Sequence, residues 1–479
     1  MSFKIAQLPA DDKLAQMISV EMLAQVYPRD LVCQVLTEQR RWEQRESKLS
    51  HVLMVYYVIA LSLFPRLGLR EVYGRLLRAW HWLSGVLAGE LRARTVPSAG
   101  ALCYRRGTLG IGVLRRLLRL VCRPLATPQT PGAYRFGLRL MAIDSTLEDV
   151  ADTPANATFF GRIASGASAS SFPQARCLYL AEVGTHAIVD AVLAPCRVSE
   201  HRLLPALLRS VQADMLVLLD RGLFSGPVFA ALRRLGAQGL ARLEAGMLTK
   251  PLRRLCDGSY LVELTPTTSR GLNHPLLLRV IEYTLDPPVA QQMKQLAQST
   301  TSRASDPTQV HRLVTTLLDP QQYPALELIR CYHERWEIEL CIDEIKTHLR
   351  LSPHPLRSRT PLGVLQELYG LLLLHYAVRF FMATSAAQAD LDPDRLSFTH
   401  AVHVLGDALL LAPLVPAPAQ PRFWQQVLAD LRDPDMLVPA RRLRFNPRVL
   451  KHSSHFRHKR STDHGFHLKH RSFADILRI

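Results

Sequence analysis

The sequence predicts a mixed α/β, or α+β, fold: a strand-bearing core with helices before and after it. Three observations carry the prediction. Apolar residues recur at three- and four-residue steps as far as about Arg94, the period changes to strand type at Tyr134, and a helical pattern returns at about Pro324. The 479 residues suffice for two to four domains at roughly 100–200 residues each. A composition that is 48% hydrophobic excludes disorder as the main state.

Residues 1–95 form the first predicted domain, a small helical bundle. Its apolar positions run through Leu31, Val35 and Leu36, then Leu49 to Phe64, then Val72, Leu76 and Leu77, with Pro65 as a break. Arg40, Arg41, Arg45 and Lys48 precede the second helix, and Arg70, Arg75 and Arg78 punctuate the third. The bundle therefore has a basic surface, although an ordinary solvated face also carries charge. Residues 96–133 hold a linker with Pro97, Ser98 and Gly100, the very basic helix Leu109 to Cys122, and a Pro/Thr/Gly-rich break from Pro124 to Gly132.

Residues 134–244 read as alternating strands and helices. Tyr134 to Ile143 is a strand ending on Asp144, and residues 145–175 are a Gly/Ala/Ser-rich loop. Arg176 to Val183 and His186 to Ala194 make a hairpin around Gly184 and Thr185. Then come a helix (Glu200 to Val211), a short apolar strand (Met215 to Leu219) ending on Asp220, a helix (Pro227 to Leu235) and a strand (Gln238 to Leu243). Three strands, a helix, a strand, a helix and a strand is the order of an RNase H-like mixed sheet. Residues 245–320 interrupt this core with a β-rich insertion, its strands at Tyr260 to Thr265, Pro275 to Thr284 and Val310 to Leu317. Residues 321–385 resume it with a helix from about Pro324 to Leu351 and a strongly apolar one, Leu362 to Ala383. A helical C-terminal region follows (386–440), with a Pro/Ala-rich link from Leu411 to Pro421, and then a basic tail (441–479).

A net charge of +18 points to a polyanionic partner. The charge is uneven: residues 1–143 carry 21 basic and 9 acidic side chains, residues 441–471 carry 10 and 1, and the stretch between carries 27 and 30. A membrane fits less well. The longest apolar run, Val52 to Phe64, has 13 residues where a span needs about 20. Residues 362–385 are interrupted by Gln366, Glu367, His375 and Arg379. No N-terminal signal pattern stands out, and the eight cysteines are scattered without a CxxC. The expectation is a cytoplasmic, nucleoid-associated protein without disulfides or a zinc ribbon.

Two aspartates at neighbouring strand ends have chemical meaning, because strand ends hold carboxylates rigidly enough to share a divalent cation. Asp144 is followed by Ser145 and Thr146, and Asp220 by Arg221 and Gly222. Either one alone is as readily a turn residue or a helix cap. Tyr332, Arg335, Glu339 and Lys346 are more specific. Their successive spacings of 3, 4 and 7 residues keep them in one narrow stripe of a helix at about 100° per residue. A salt-bridged surface helix would account for the Arg335–Glu339 pair, but not for the tyrosine, the lysine or the aspartates.

The pattern Tyr332-x2-Arg335-x3-Glu339-x6-Lys346, with Trp336 beside the arginine, resembles the YREK signature of the IS-four (insertion element 4) family of DDE transposases. The contexts of Asp144 and Asp220 are similar to its first and second acidic motifs, as are Thr315 to Asp319 and Leu356-Arg357-Ser358 to family segments. The resemblance implies the transposase of a bacterial insertion sequence, which binds terminal inverted repeats and catalyses metal-dependent strand cleavage and strand transfer. It implies Asp144, Asp220 and Glu339 as catalytic carboxylates on two divalent cations, Mg²⁺ with Mn²⁺ as a substitute. It implies Tyr332, Arg335, Lys346, Arg221 and Trp336 as DNA-binding residues. Residues 1–95 would then bind the DNA ends, with double-stranded DNA as terminal repeat and as target, and a homodimer would form on paired ends. Two other classes stay open: a catalytically silent, element-derived DNA-binding protein, and an RNase H-like nuclease without strand transfer.

Some family members stack a flipped base on a tryptophan of the insertion. Here the five tryptophans are Trp42, Trp80, Trp82, Trp336 and Trp424, none within 221–335. Tyr260 and Tyr283 are the aromatic faces left for that step, and equally sheet or core residues. The tail carries two histidine triplets, His452, His455, His458 and His464, His467, His470, with only Asp463 as a carboxylate. A phosphate-binding arm that gains charge as the histidines protonate fits this better than a metal cluster.

Overall fold

The structure, a computed structural model, describes residues 21–42, 49–76, 96–165, 168–244, 246–248, 250–285, 310–351, 354–440, 442 and 477–478. Leu77, Arg45, Lys48, Arg78, Trp80, Trp82 and the histidine triplets lie outside the described residues. Among those described, eight strands have five residues or more: β1 (Leu138–Asp149), β2 (Gln174–Glu182), β3 (Ile188–Pro195), β4 (Met215–Leu219), β5 (Gln238–Arg242), β6 (Tyr260–Leu264), β7 (Leu276–Leu285) and β8 (His311–Thr315).

Tyr134–Ile143, Val211–Glu337 and Ala440–Ile479 form one of two compact units. Its sheet starts from a tight turn in which Phe136 (φ 56°) and Gly137 (φ 73°) fold Tyr134–Arg135 back onto Leu138 and Arg139. β1 runs parallel to β4, from Arg139 opposite Met215 to Ile143 opposite Leu219, and β4 runs parallel to β5. All five residues of β4 are buried, as expected for an apolar parallel strand covered on both faces. β8 pairs antiparallel with β5, β7 with β8 and β6 with β7. The β-rich stretch thus interrupts the core in sequence but continues its sheet in space, with Thr315 opposite Leu240. Leu477–Arg478 pair antiparallel with Thr284–Leu285 of β7, so the end of the chain is tied to the sheet.

Met1–Ala133, Asp144–Ser210 and Ile338–Pro439 form the other unit. Its centre is the 28-residue helix Pro361–Gln388 packed on His51–Leu63, whose thirteen residues are all buried. The long helix is apolar enough to cross a membrane by composition, but 78% of its most apolar stretch is buried in the protein. The two helices approach closely at Gly370, where an added Cβ would meet Val58 O at 2.8 Å. The basic helix expected over 109–122 is Gly112–Val121, and the stretch before it, expected as a linker, holds a second helix, Ala99–Leu109, which ends where Gly110 adopts φ 71°.

Two further expectations are corrected in this unit. β1 does not end at Asp144 but continues to Asp149; only its ladder with the five-residue β4 stops at Ile143. Residues 145–175 are therefore not one loop. They include the rest of β1 and a helix, Pro154–Phe160, started by Thr153, whose hydroxyl accepts from Asn156 N–H, and by proline in its first turn. β2 and β3 form the expected antiparallel hairpin, and β3, β2 and β1 are sheet neighbours in that order. The mixed strands and flanking helices fit the expected RNase H-like core.

The helix expected over 324–351 is helical from Ala325 to Leu349 but changes pitch three times. Ala325–His333 is α-helical, Glu334–Trp336 is a 3₁₀ turn, Glu337–Asp343 is α-helical and Glu344–Leu349 is a π-helix. The π segment ends where Arg350 N–H donates to Ile345 O at 3.3 Å, an i to i−5 bond.

Candidate active site

Asp144 and Asp220 each follow a member of the last parallel rung, Ile143 opposite Leu219. Both are half-buried. Asp144 Oδ1 accepts from the Ser145 N–H at 2.7 Å, and the Ser145 hydroxyl donates to Glu200 Oε1 at 2.5 Å, which Arg176 also holds. Asp220 begins the 3₁₀ turn Arg221–Leu223 through its backbone carbonyl, to which Leu223 N–H donates at 3.0 Å. Its carboxylate makes no capping bond and instead lies 3.9 Å from Arg335 Nη2. Asp220 thus holds the N-cap position of this turn without a side-chain cap bond.

Arg335 is buried, its Cζ 6.0 Å from the ring centroid of Tyr332 and 5.6 Å from that of Trp336. An arginine held over two aromatic faces does not belong to a solvated salt-bridge face. Tyr332 is buried and its hydroxyl has no hydrogen-bond partner among the described residues. Burial pushes its phenol well above the usual range, with Arg335 opposing. Trp336 and Arg221 are exposed and Glu339 is half-buried. Lys346 Nζ donates to Thr146 Oγ1 and to Leu147 O, each at 2.9 Å, and lies 3.9 Å from Glu148 Oε1. Arg350 Nη1 donates to Glu148 Oε2 at 2.5 Å. Lys346 and Arg350 thus fasten the π turn to the part of β1 just beyond Asp144.

Tyr260 and Tyr283 are sheet-core residues and not open stacking faces. Tyr260 donates to Leu248 O at 3.1 Å and to Glu282 Oε1 at 3.2 Å, and Tyr283 lies against His311 with ring centroids 5.2 Å apart. Their place in an antiparallel ladder buries them whatever their chemistry.

A charged cluster on the same π turn has no counterpart in the sequence motifs. Glu344, only 5% exposed, accepts from Arg379 Nε at 3.0 Å and from His375 Nε2 at 2.8 Å through Oε2, while Oε1 takes Arg379 Nη2. His186 Nδ1 lies between Glu344 Oε1 (3.0 Å) and Arg379 Nη2 (2.6 Å), so its tautomer decides which bond forms, and its Nε2 lies 3.5 Å from Asp394. Burial alone would push the Glu344 carboxyl up; Arg379 first, then His186, hold it well below the usual range. A buried ion costs several kcal/mol unless its lone pairs are filled, and here both oxygens are. The visible signal was His375 and Arg379, four residues apart on a largely apolar helix.

Comparison with known proteins shows the family. Residues 17–119 match the profile "Insertion element 4 transposase N-terminal", and residues 135–376, half of the chain, match "Transposase DDE domain". The transposase InsG for insertion sequence element IS4, from Escherichia coli, is 27% identical over 430 residues, 88% of this chain and 90% of that protein. Among solved structures, the piggyBac transposase synaptic complex with hairpin DNA aligns with a TM-score of 0.40 and 12% identity, over 88% of this chain and 83% of that one, a likeness too slight to argue from. With the two profiles adjoining in order along one chain, this protein belongs to the insertion element 4 family of DDE transposases, enzymes of DNA transposition.

Proposed function

We propose that this transposase moves its own insertion element by cut-and-paste: it binds the terminal inverted repeats, cleaves there, and joins the freed strand to target DNA in the bacterial cytoplasm. The observation that carries the reading is the parallel rung Ile143–Leu219, beyond which both strands continue into an aspartate. With Glu339, these carboxylates would supply an all-oxygen donor set, and the Asp220 side chain makes no capping bond. Such a set suits two Mg²⁺ ions, with Mn²⁺ as a substitute. When bound, the ions supply activation of the attacking oxygen and stabilisation of the leaving one during in-line displacement at phosphorus.

The chain's own groups hold the strand. Arg335, oriented by the Tyr332 and Trp336 rings, offers its fork to a phosphate. The Tyr332 hydroxyl, kept protonated by burial, is a donor for a phosphate oxygen. Lys346 keeps a third N–H beyond those given to Thr146 and Leu147, and exposed Arg221 adds charge beside Asp220. Residues 1–95 and the basic segment 96–133 bind the ends. In Gly112–Val121 the residues Val113, Leu114, Leu117 and Leu118 are buried, leaving Arg115, Arg116 and Arg119 on the less buried side. Two copies act on paired ends as a homodimer.

Asp144→Asn, Asp220→Asn and Glu339→Gln each abolish cleavage of labelled element ends in Mg²⁺ and leave end binding intact. Full cleavage by any one of them overturns the assignment. In the same assay, cleavage without joining would mark a nuclease, and binding without cleavage by the wild type a silent DNA-binding protein.

A further inference from the structure

We infer that Glu344 is a positioning residue for strand cleavage: its buried carboxylate, clamped by Arg379 and His375 with His186 beside them, fixes the π-helical turn that follows Glu339 and carries Lys346. The inference rests on reading Glu339 as a metal ligand. Three segments meet at this carboxylate. His186 comes from the turn between β2 and β3, where it adopts φ 59°, and His375 and Arg379 come from one face of Pro361–Gln388. Arg379 is itself held over the Phe398 ring, 5.3 Å from its centroid.

An apolar side chain would fill the same space without burying charge, so packing alone does not account for the cluster. What a fully bonded carboxylate adds is direction. The two Arg379 nitrogens and His375 Nε2 reach Glu344 from positions one helical turn apart, so sliding the π turn along the long helix breaks all three bonds together. On its other side the same turn is tied through Lys346 to Thr146 and Leu147 and through Arg350 to Glu148. These residues begin two positions after Asp144. A π turn is rare and usually a single-turn bulge inside an α-helix, and here it is tied on both sides. Glu344 thereby sets where Glu339, five residues earlier, and Lys346 stand.

The test is Glu344→Gln, which keeps the shape but removes the charge. Cleavage of labelled ends falls about 10- to 100-fold, as misplacement of a reacting group produces, while end binding stays within about twofold. The Mn²⁺ concentration for half-maximal cleavage rises, and backbone amides over 337–350 exchange faster with deuterium while those of 51–63 do not. A merely structural role would lower the folded fraction, and with it the rate, without moving the Mn²⁺ midpoint. That result, or wild-type exchange over 337–350, overturns the inference. If Glu344→Gln does not fold, Arg379→Lys keeps the charge but loses the fork and must shift the midpoint in the same direction. Glu339→Gln runs alongside: if it cleaves at full rate, the metal-ligand reading fails, whereas an inactive Glu339→Gln beside an unaffected Glu344→Gln defeats only the present inference.

Discussion

His311, on β8, is a half-buried histidine that resists protonation. Burial first, and Arg242 second, lower its pKa from 6.5 to about 4, and Arg242 Nη2 lies 2.9 Å from its Nδ1. Between those values the unfolded chain takes up a proton that the folded chain refuses, so stability falls as pH drops from 6.5 to about 4. His375, also lowered by burial, acts in the same direction. Glu344 has a depressed carboxyl, so its contribution is present above pH 4.5 and is lost as pH falls further. The melting temperature therefore drops on going from pH 7.5 to 5, and His311→Asn, which can still accept from Arg242, makes the drop shallower. Identical profiles for the two proteins would refute this. The motif residues were legible one by one, since spacing alone singled out Tyr332, Arg335, Glu339 and Lys346. That Arg335 lies over two rings, or that Glu344 is fully bonded, was not, because those partners are brought by other segments.

The elements were legible wherever one face or one period dominated. β4 is apolar at every position and was found to the residue, and the hairpin β2–β3 announced itself by its turn. Pro154–Phe160 was hidden because its seven residues are too few to show a helical period, although Thr153 and Pro154 mark its start. The pitch changes in the 325–349 helix left no trace in periodicity, because 3₁₀ and π turns follow from contacts made at their ends. The packing of His51–Leu63 on Pro361–Gln388 carries its own prediction. Gly370→Ala places a Cβ 2.8 Å from Val58 O and 3.1 Å from Ser62 Oγ, which costs about 1–3 kcal/mol as overpacking. Thermal melting reads this as a lower midpoint, and Gly406→Ala, where an added Cβ meets nothing within 4 Å, is the control that does not fall.

At the scale of the whole molecule, the described residues of the basic tail include Leu477–Arg478, strand-paired with β7, and Arg442, whose Nη1 lies 3.6 Å from Glu334. The tail's contribution to DNA binding is best measured with both attachments kept. Replacing Arg444, Arg448, Lys451, Arg457, Lys459 and Arg460 with serine lowers end affinity and flattens the salt dependence by about 0.9 in log–log slope for each phosphate that is no longer neutralised. An unchanged slope would remove the tail from the interface. By itself the sequence determined the class of chain: the helical ends, the strand order of the core, the uneven charge and the signature that names a family. These are carried by local period, composition and spacing. Only the tertiary structure decided that β8 joins β5, that β1 runs past its aspartate to meet Lys346, and that a glutamate outside every motif sits among two histidines and an arginine. Each depends on segments far apart in the chain, and no local pattern encodes which distant strand or side chain will supply the partner.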